Sequence, residues 1–175
     1  MGLDMYLNKK IYVRPNSHMS KYFNFETRIL SNGMYYSKFN PEKVTYVTEE
    51  VAYWRKFNAL HNWFVKNVQN GEDDCEEYSV YLEDFVKLQL CLSLVLDAQN
   101  TCLVGRLSEE ERDVICCDNF PPTEGFFFGS KEINDDYWED VVSTKRVVES
   151  IIIQMNQSII DKDSILINYY YRSSW

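Results

Sequence analysis

What these 175 residues lack narrows the field before what they contain. No apolar run approaches the ~20 residues that a membrane-spanning helix needs, so no membrane partner is expected. The opening Met1-Gly-Leu-Asp-Met-Tyr-Leu7 is short and, with Asp4, too interrupted to read as a secretion signal. An even cysteine count is missing: Cys75, Cys91, Cys102, Cys116 and Cys117 are five and offer no even disulfide framework. They also form no CxxC pair, the usual mark of a structural zinc site. A reducing cytoplasm is the expected compartment, and neither metal nor cofactor is expected. Positive charge is scarce too, 18 bases against 27 acids for a net −9. Direct nucleic-acid binding is therefore not expected, because a phosphate-backbone binder needs a basic face. The same acidity suits a surface that imitates nucleic acid and docks on a basic partner.

What is present is ordinary in bulk and unusual in one respect. Hydrophobic residues at 45% and charged residues at 26% fit one globular domain, with a core large enough to hide most of the unfolded surface. Aromatics reach 15%, with 13 Tyr and 10 Phe, which points first to an aromatic core and second to an aromatic binding surface.

Along the chain, residues 1–14 alternate as a strand, with Leu3, Met5 and Leu7 on one face. Residues 15–47 read as irregular or as short strands, with turn signals at Pro15-Asn-Ser and Ser31-Asn-Gly33 and short strands at Met34-Tyr-Tyr36 and Val44-Thr-Tyr-Val47. The strongest helical pattern runs over 49–70, with Thr48 as its cap. Helical spacing gathers Tyr53, Trp54, Phe57, Leu60, His61, Phe64, Val65 and Val68 on one arc. Ala52, Ala59 and Trp63 fall on the far side, either sandwiched or presented to a partner. Gly71 ends the helix. A second helix is expected over 79–98 with Phe85, Leu88, Leu92 and Val95 inward, broadened by Leu90, Leu94 and Leu96. Ser108 and Glu111 form a capping box for a short helix through Val114, and Pro121-Pro122 closes that region. Thr123-Glu-Gly-Phe-Phe-Phe-Gly-Ser130 reads as a buried strand whose glycines admit another backbone. Asn134 or Asp135 caps a third long helix through Gln154, its inner face made of Trp138, Val141, Val142, the Lys145 stem, Val148 and Ile152. A final strand fills 164–175. The pattern is α+β: a small, mostly antiparallel sheet with about three longer helices on one face.

Chemistry-bearing residues are few. His61 falls on the core arc, either as a core histidine or at the floor of a pocket. Asp73-Asp-Cys75 places two carboxylates and a thiol in one turn, a poor setting for a thiolate nucleophile and too small a set for a metal. Gly125-Phe-Phe-Phe-Gly-Ser-Lys131 departs from a phosphate-binding loop in both spacing and bulk. Arg55, Lys56, Tyr137 and Arg172 could together line an anion pocket.

Five stretches taken in order resemble a family. Met1-Gly-Leu-Asp-Met-Tyr-Leu7, Glu50-Val-Ala-Tyr-Trp-Arg-Lys56, His61-Asn-Trp-Phe-Val-Lys-Asn-Val68 with Gly71 and Asp73-Asp-Cys75, Gly125-Phe-Phe-Phe-Gly-Ser130 and Tyr171-Arg-Ser-Ser-Trp175 resemble small proteins common in bacteriophage genomes and prophages. Members sometimes carry the label phosphoglycerate kinase. That label does not suit this chain, which is far too short for a two-domain kinase and has no recognisable nucleotide site. Pro121-Pro122 stands where Leu-Pro is usual, Trp138 where Tyr is common, and Tyr81 where Ser or Thr would cap the second helix. The resemblance implies a phage-encoded accessory protein of the bacterial host cytoplasm, and it brings no catalytic residues with it. Its motif residues that are not evident core formers are Arg55, His61, Asp73, Asp74, Cys75, Ser130, Arg172, Ser173 and Trp175; Trp63 and Tyr137 join them as binding candidates. The expected function is non-enzymatic binding of a host protein or protein–nucleic-acid complex, inhibiting antiviral defence in the manner of an anti-CRISPR. The alternative is a pocket that binds or cleaves a nucleotide signal, built on His61, Arg55 and Arg172 among stacking aromatics.

Overall fold

The alternation of Leu3, Met5 and Leu7 governs the architecture. In the computed structural model, which describes residues 2–13, 28–35, 40–124, 129–161 and 166–175, all three are fully buried. They belong to or adjoin strand β1 (Asp4–Tyr12), which pairs antiparallel with β4 (Tyr46–Arg55) on one side and β6 (Ile167–Ser174) on the other. A short β5 (Tyr78–Val80) adds to β6, giving the order β4-β1-β6-β5, antiparallel throughout. A separate two-stranded hairpin, β2 (Leu30–Ser31) and β3 (Met34–Tyr35), turns through Asn32 and Gly33, both at positive φ.

Four helices complete the fold: α1 (Asn58–Asn67), α2 (Leu82–Leu103), α3 (Glu109–Asn119) and α4 (Asp135–Asp161). Inward residues of the sheet and of all four helices join in a single core. Aromatic contacts seat α1 and α2 on β6: Phe64 stacks on Tyr171 at 3.9 Å, and Phe85 meets Tyr169 edge-on at 5.5 Å. The α+β class with helices against a small antiparallel sheet is thus present. Among the described residues no helix is long and apolar enough to cross a membrane.

The expected helix over 49–70 is a correction. Its first half is β4, and only Asn58–Asn67 is helical. Tertiary pairing overrides a weak local preference here: Met5 sits opposite Trp54, Leu7 opposite Ala52, and Lys9 opposite Glu49 with its ammonium 3.4 Å from the carboxylate. The ladder skips Val51, which faces no residue of β1. Thr48 lies in the strand opposite Lys10 instead of capping a helix. Lys56, at φ +61°, turns the chain from strand to helix.

Other boundaries shift for similar reasons. Ser79 is in β5, and α2 begins after it, with the Asp84 carboxylate accepting the Tyr81 backbone N–H at 3.0 Å. Phe85, Leu88, Leu92 and Val95 are inward as expected, whereas Leu90 and Leu94 are exposed. The Ser108–Glu111 capping box is present, and α3 runs on to Asn119. Asn134 caps α4 by accepting the Tyr137 N–H at 3.1 Å. That helix buries Tyr137, Val141, Thr144, Val148 and Ile151, a stripe rotated from the expected one; Trp138 and Ile152 are half-buried and Val142 is exposed. Residues 14–27, 36–39 and 125–128 lie outside the described residues, and with them most of the expected irregular stretch and the aromatic centre of the strand expected over 123–130.

Gly129 does admit a neighbouring backbone. It holds φ +93°, and a Cβ built there would lie 2.9 Å from the Lys56 carbonyl oxygen. Gly105, at φ +70°, faces open space instead. Gly105→Ala should cost about 1–2 kcal/mol, the penalty of a left-handed alanine. Gly129→Ala adds a clash with backbone and should cost about 2–4 kcal/mol. Urea unfolding of the two variants checks the ordering; equal costs would contradict the close approach.

Candidate functional site

Three of the shortlisted motif residues meet, and Tyr171, which was not on the shortlist, joins them at one end. His61, on the inner face of α1 and 1% exposed, bonds Tyr171 through Nδ1 at 2.8 Å and Asp73 through Nε2 at 3.0 Å. The other Asp73 oxygen accepts the Trp175 indole N–H at 3.1 Å. Burial, with Asp73 and Cys75 nearby, raises the Tyr171 phenol well above its ordinary range, so Tyr171 keeps its proton and donates it to Nδ1. His61 then donates from Nε2 to Asp73. Each proton in the row Tyr171, His61, Asp73, Trp175 has a single consistent direction.

Tyrosine, histidine and aspartate in hydrogen-bonded order invite comparison with a catalytic relay. Access decides against it: Tyr171 is completely buried, stacked on Phe64 inside the core. A relay needs its terminal oxygen within reach of a substrate. The row is a fastening that holds α1, the acidic turn and the end of β6 together. Asp74 and Cys75 serve the turn. Asp74 accepts the Glu76 N–H at 3.0 Å and the Tyr78 hydroxyl at 2.9 Å, and that bond pushes the Tyr78 phenol up to about 12. Cys75 takes φ +60°.

A second group of expected residues converges elsewhere. Arg55, Ser130 and Tyr137 line a cleft of about 440 Å³ at the end of β4, beside the first turns of α4. Lys56, Asp136 and Asp140 share its walls. Its floor is braced by Asn58, which donates to the Ser130 carbonyl at 2.7 Å and accepts the Thr123 N–H at 3.1 Å. The Tyr137 ring is buried, and its hydroxyl donates to the Phe120 carbonyl at 3.0 Å. Burial, with Asp136 and Glu139 close by, pushes the Asp140 carboxyl up to about 6. A carboxyl so perturbed inside a cleft marks a candidate binding position. Among the described residues no group of three or more His, Cys, Asp or Glu side chains is arranged to hold a metal ion.

The remaining expected residues lie apart from both groups. Trp63 is 6% exposed and packs edge-on against Phe64 at 5.4 Å, so it is sandwiched and not displayed. Arg172 points to the outer face of the sheet, its guanidinium 5.5 Å from the Tyr6 ring centre. Ser173 is inward and buried, and its hydroxyl has no hydrogen-bond partner among the described residues. His61 and Arg172 therefore face opposite sides of the sheet. Two residues missed in the sequence had a signal there. Tyr171 shares the inward parity of Tyr169, and Asp140 follows Tyr137 by one helical turn. Asn58 had none.

Against known proteins the chain finds no match, whether among protein-family models, curated proteins or solved structures.

Two measurements probe the two groups. Tyr171→Phe leaves the buried Nδ1 of His61 without its donor and should cost about 1–3 kcal/mol. Trp175→Phe removes a bond at a half-exposed ring and should cost less than about 1 kcal/mol. Denaturant titration of the single and double variants gives the coupling. The Asp140 carboxyl binds its proton more tightly folded than unfolded, so it destabilises the fold once pH rises through about 6. Asp140→Asn should accordingly raise stability at pH 7.5 by about 1–3 kcal/mol, with the gain gone below about pH 4. A gain that persists in acid would refute the desolvated carboxyl.

Proposed function

We propose that the protein is a phage-encoded, non-enzymatic binding protein that inhibits a basic host factor, an antiviral nuclease of the CRISPR kind being a fitting target. The observation that carries this reading is the separation of charge between layers. The helix α2 has three acids and one base, α3 five and one, and α4 six and two. The four strands of the sheet together hold three acids and four bases. Nearly all of the net negative charge is thus concentrated on the helical side, where its potential reaches furthest towards a positive partner.

A second feature supports the same surface. Val86, Leu90 and Leu94 recur at helical spacing along α2 and are 39%, 65% and 46% exposed. An apolar stripe within an acidic field supplies the two components of a protein interface: desolvated contact at the centre and charge at the rim. The fastening around His61 supports the non-enzymatic part, since the residues most suggestive of chemistry are consumed in holding the fold.

The test is a phage-plaquing assay in a host with active CRISPR immunity, comparing the wild type with the triple variant Asp97→Lys, Glu110→Lys and Asp118→Lys. The wild type should restore plaquing. The triple variant, folded by circular dichroism, should bind its target about tenfold or more weakly, equivalent to roughly 1.4 kcal/mol of lost attraction. Raising salt should weaken the wild type in the same direction. Plaquing unaffected by the wild type at full expression would remove the anti-defence reading.

A further inference from the structure

The cleft at the end of β4 has a property that the partner-binding reading does not use. Arg55 and Lys56 stand on its strand side, and Glu132, Asp136, Glu139 and Asp140 on its helix side. Charges of opposite sign facing one another normally pair. Here they do not: the recorded ion pair of Arg55 is with Asp4, 3.8 Å away and outside the cleft. No ion pair within 4 Å joins either base to any of the four acids. The backbone explains the separation. The left-handed turn at Lys56 and the close approach of Gly129 set the strand end against the 129–130 segment, while the Asn134 cap fixes where α4 begins. The two charged walls are thus held by different elements with about 440 Å³ between them, a volume within the roughly 300–1,000 Å³ range of small-molecule sites.

The geometry points to a binding site for a compact zwitterion, a small molecule with an amine at one end and a carboxylate or phosphate at the other. The amine faces the Asp136 and Asp140 wall, and the anion faces Arg55 and Lys56. Bridging the two walls links charges that the fold keeps apart across the cleft. A singly charged molecule satisfies one wall and leaves the other unpaired, so charge pairing at both ends is the source of selectivity. Phe57 and Tyr137, both almost wholly buried, also line the cleft between the walls.

Calorimetry with four defined probes tests this: 4-aminobutyrate, phosphoethanolamine, butylamine and butyrate. One or both zwitterions should bind, and the two single-charge probes should not; the better zwitterion identifies the anionic group. Arg55→Gln and Asp140→Asn should each weaken that binding about tenfold or more. Binding should also fade as pH falls through about 6, where Asp140 takes up its proton. Amide NMR shifts on the unaltered protein provide a readout that does not depend on any variant folding. Shifts centred on Lys56, Ser130 and Asp140 support the site. No binding by either zwitterion, binding of butylamine as tight as theirs, or shifts centred elsewhere would overturn it.

Discussion

Tyr171 is the point on which the rest of this structure depends. Its ring stacks on Phe64 of α1, its backbone lies between Leu7 and Tyr78 in the sheet, and its hydroxyl holds His61. A phenol suits all three demands because its body is apolar and its tip is polar. Through His61 the same side chain reaches Asp73 and then Trp175, so a helix, a turn and the final strand share one anchor. The arrangement is selective about proton position. A Tyr171 that keeps its proton, with the proton of His61 on Nε2, satisfies every bond in the row, and burial raises the phenol in the same direction.

Around that anchor the molecule divides into two unlike sides. The helical side is acidic and carries the exposed α2 stripe. The outer face of the sheet is nearly balanced in charge and rich in tyrosine. Tyr6 and Tyr53 lie 5.4 Å apart there, Tyr12 and Tyr46 5.1 Å apart, and Arg172 and Lys10 each sit over a tyrosine ring. The aromatic excess of the composition is therefore shared between core and surface. The cleft lies at the end of β4, where the strand gives way to helix, so its walls come from both layers.

Sequence reasoning reached the elements whose signals are local. Alternation identified β1 and β6, side-chain chemistry identified the Ser108 and Asn134 caps, and Gly71 marked the exit from α1. It failed where the deciding interactions are distant. Tyr53 and Trp54 fell on a helical arc with Phe57 and Leu60, but β1, more than forty residues earlier, claims that stretch as a strand. Nothing near Lys56 announces the left-handed turn that separates the two elements. The site was legible in the same uneven way. His61, Asp73 and Trp175 were on the motif shortlist, as were Arg55 and Ser130, but the division into one sealed fastening and one open cleft depends on packing. Asp140 acquires its significance only from burial beside Asp136 and Glu139.

The strand order has a consequence for how the chain is made. Asp4 lies opposite Ser174, so β1 is made long before β6 and waits for it before its second edge is covered. Until then β1 and β4 form a ribbon with one row of backbone donors and acceptors open to any passing strand. Lys9 and Lys10 sit on that ribbon, the kind of charge that keeps an uncovered edge from pairing with the wrong chain. In the finished sheet Lys10 pairs with Glu77 beside β5 and covers the Tyr170 ring. A residue that guards the nascent edge thus becomes part of the seal that closes it.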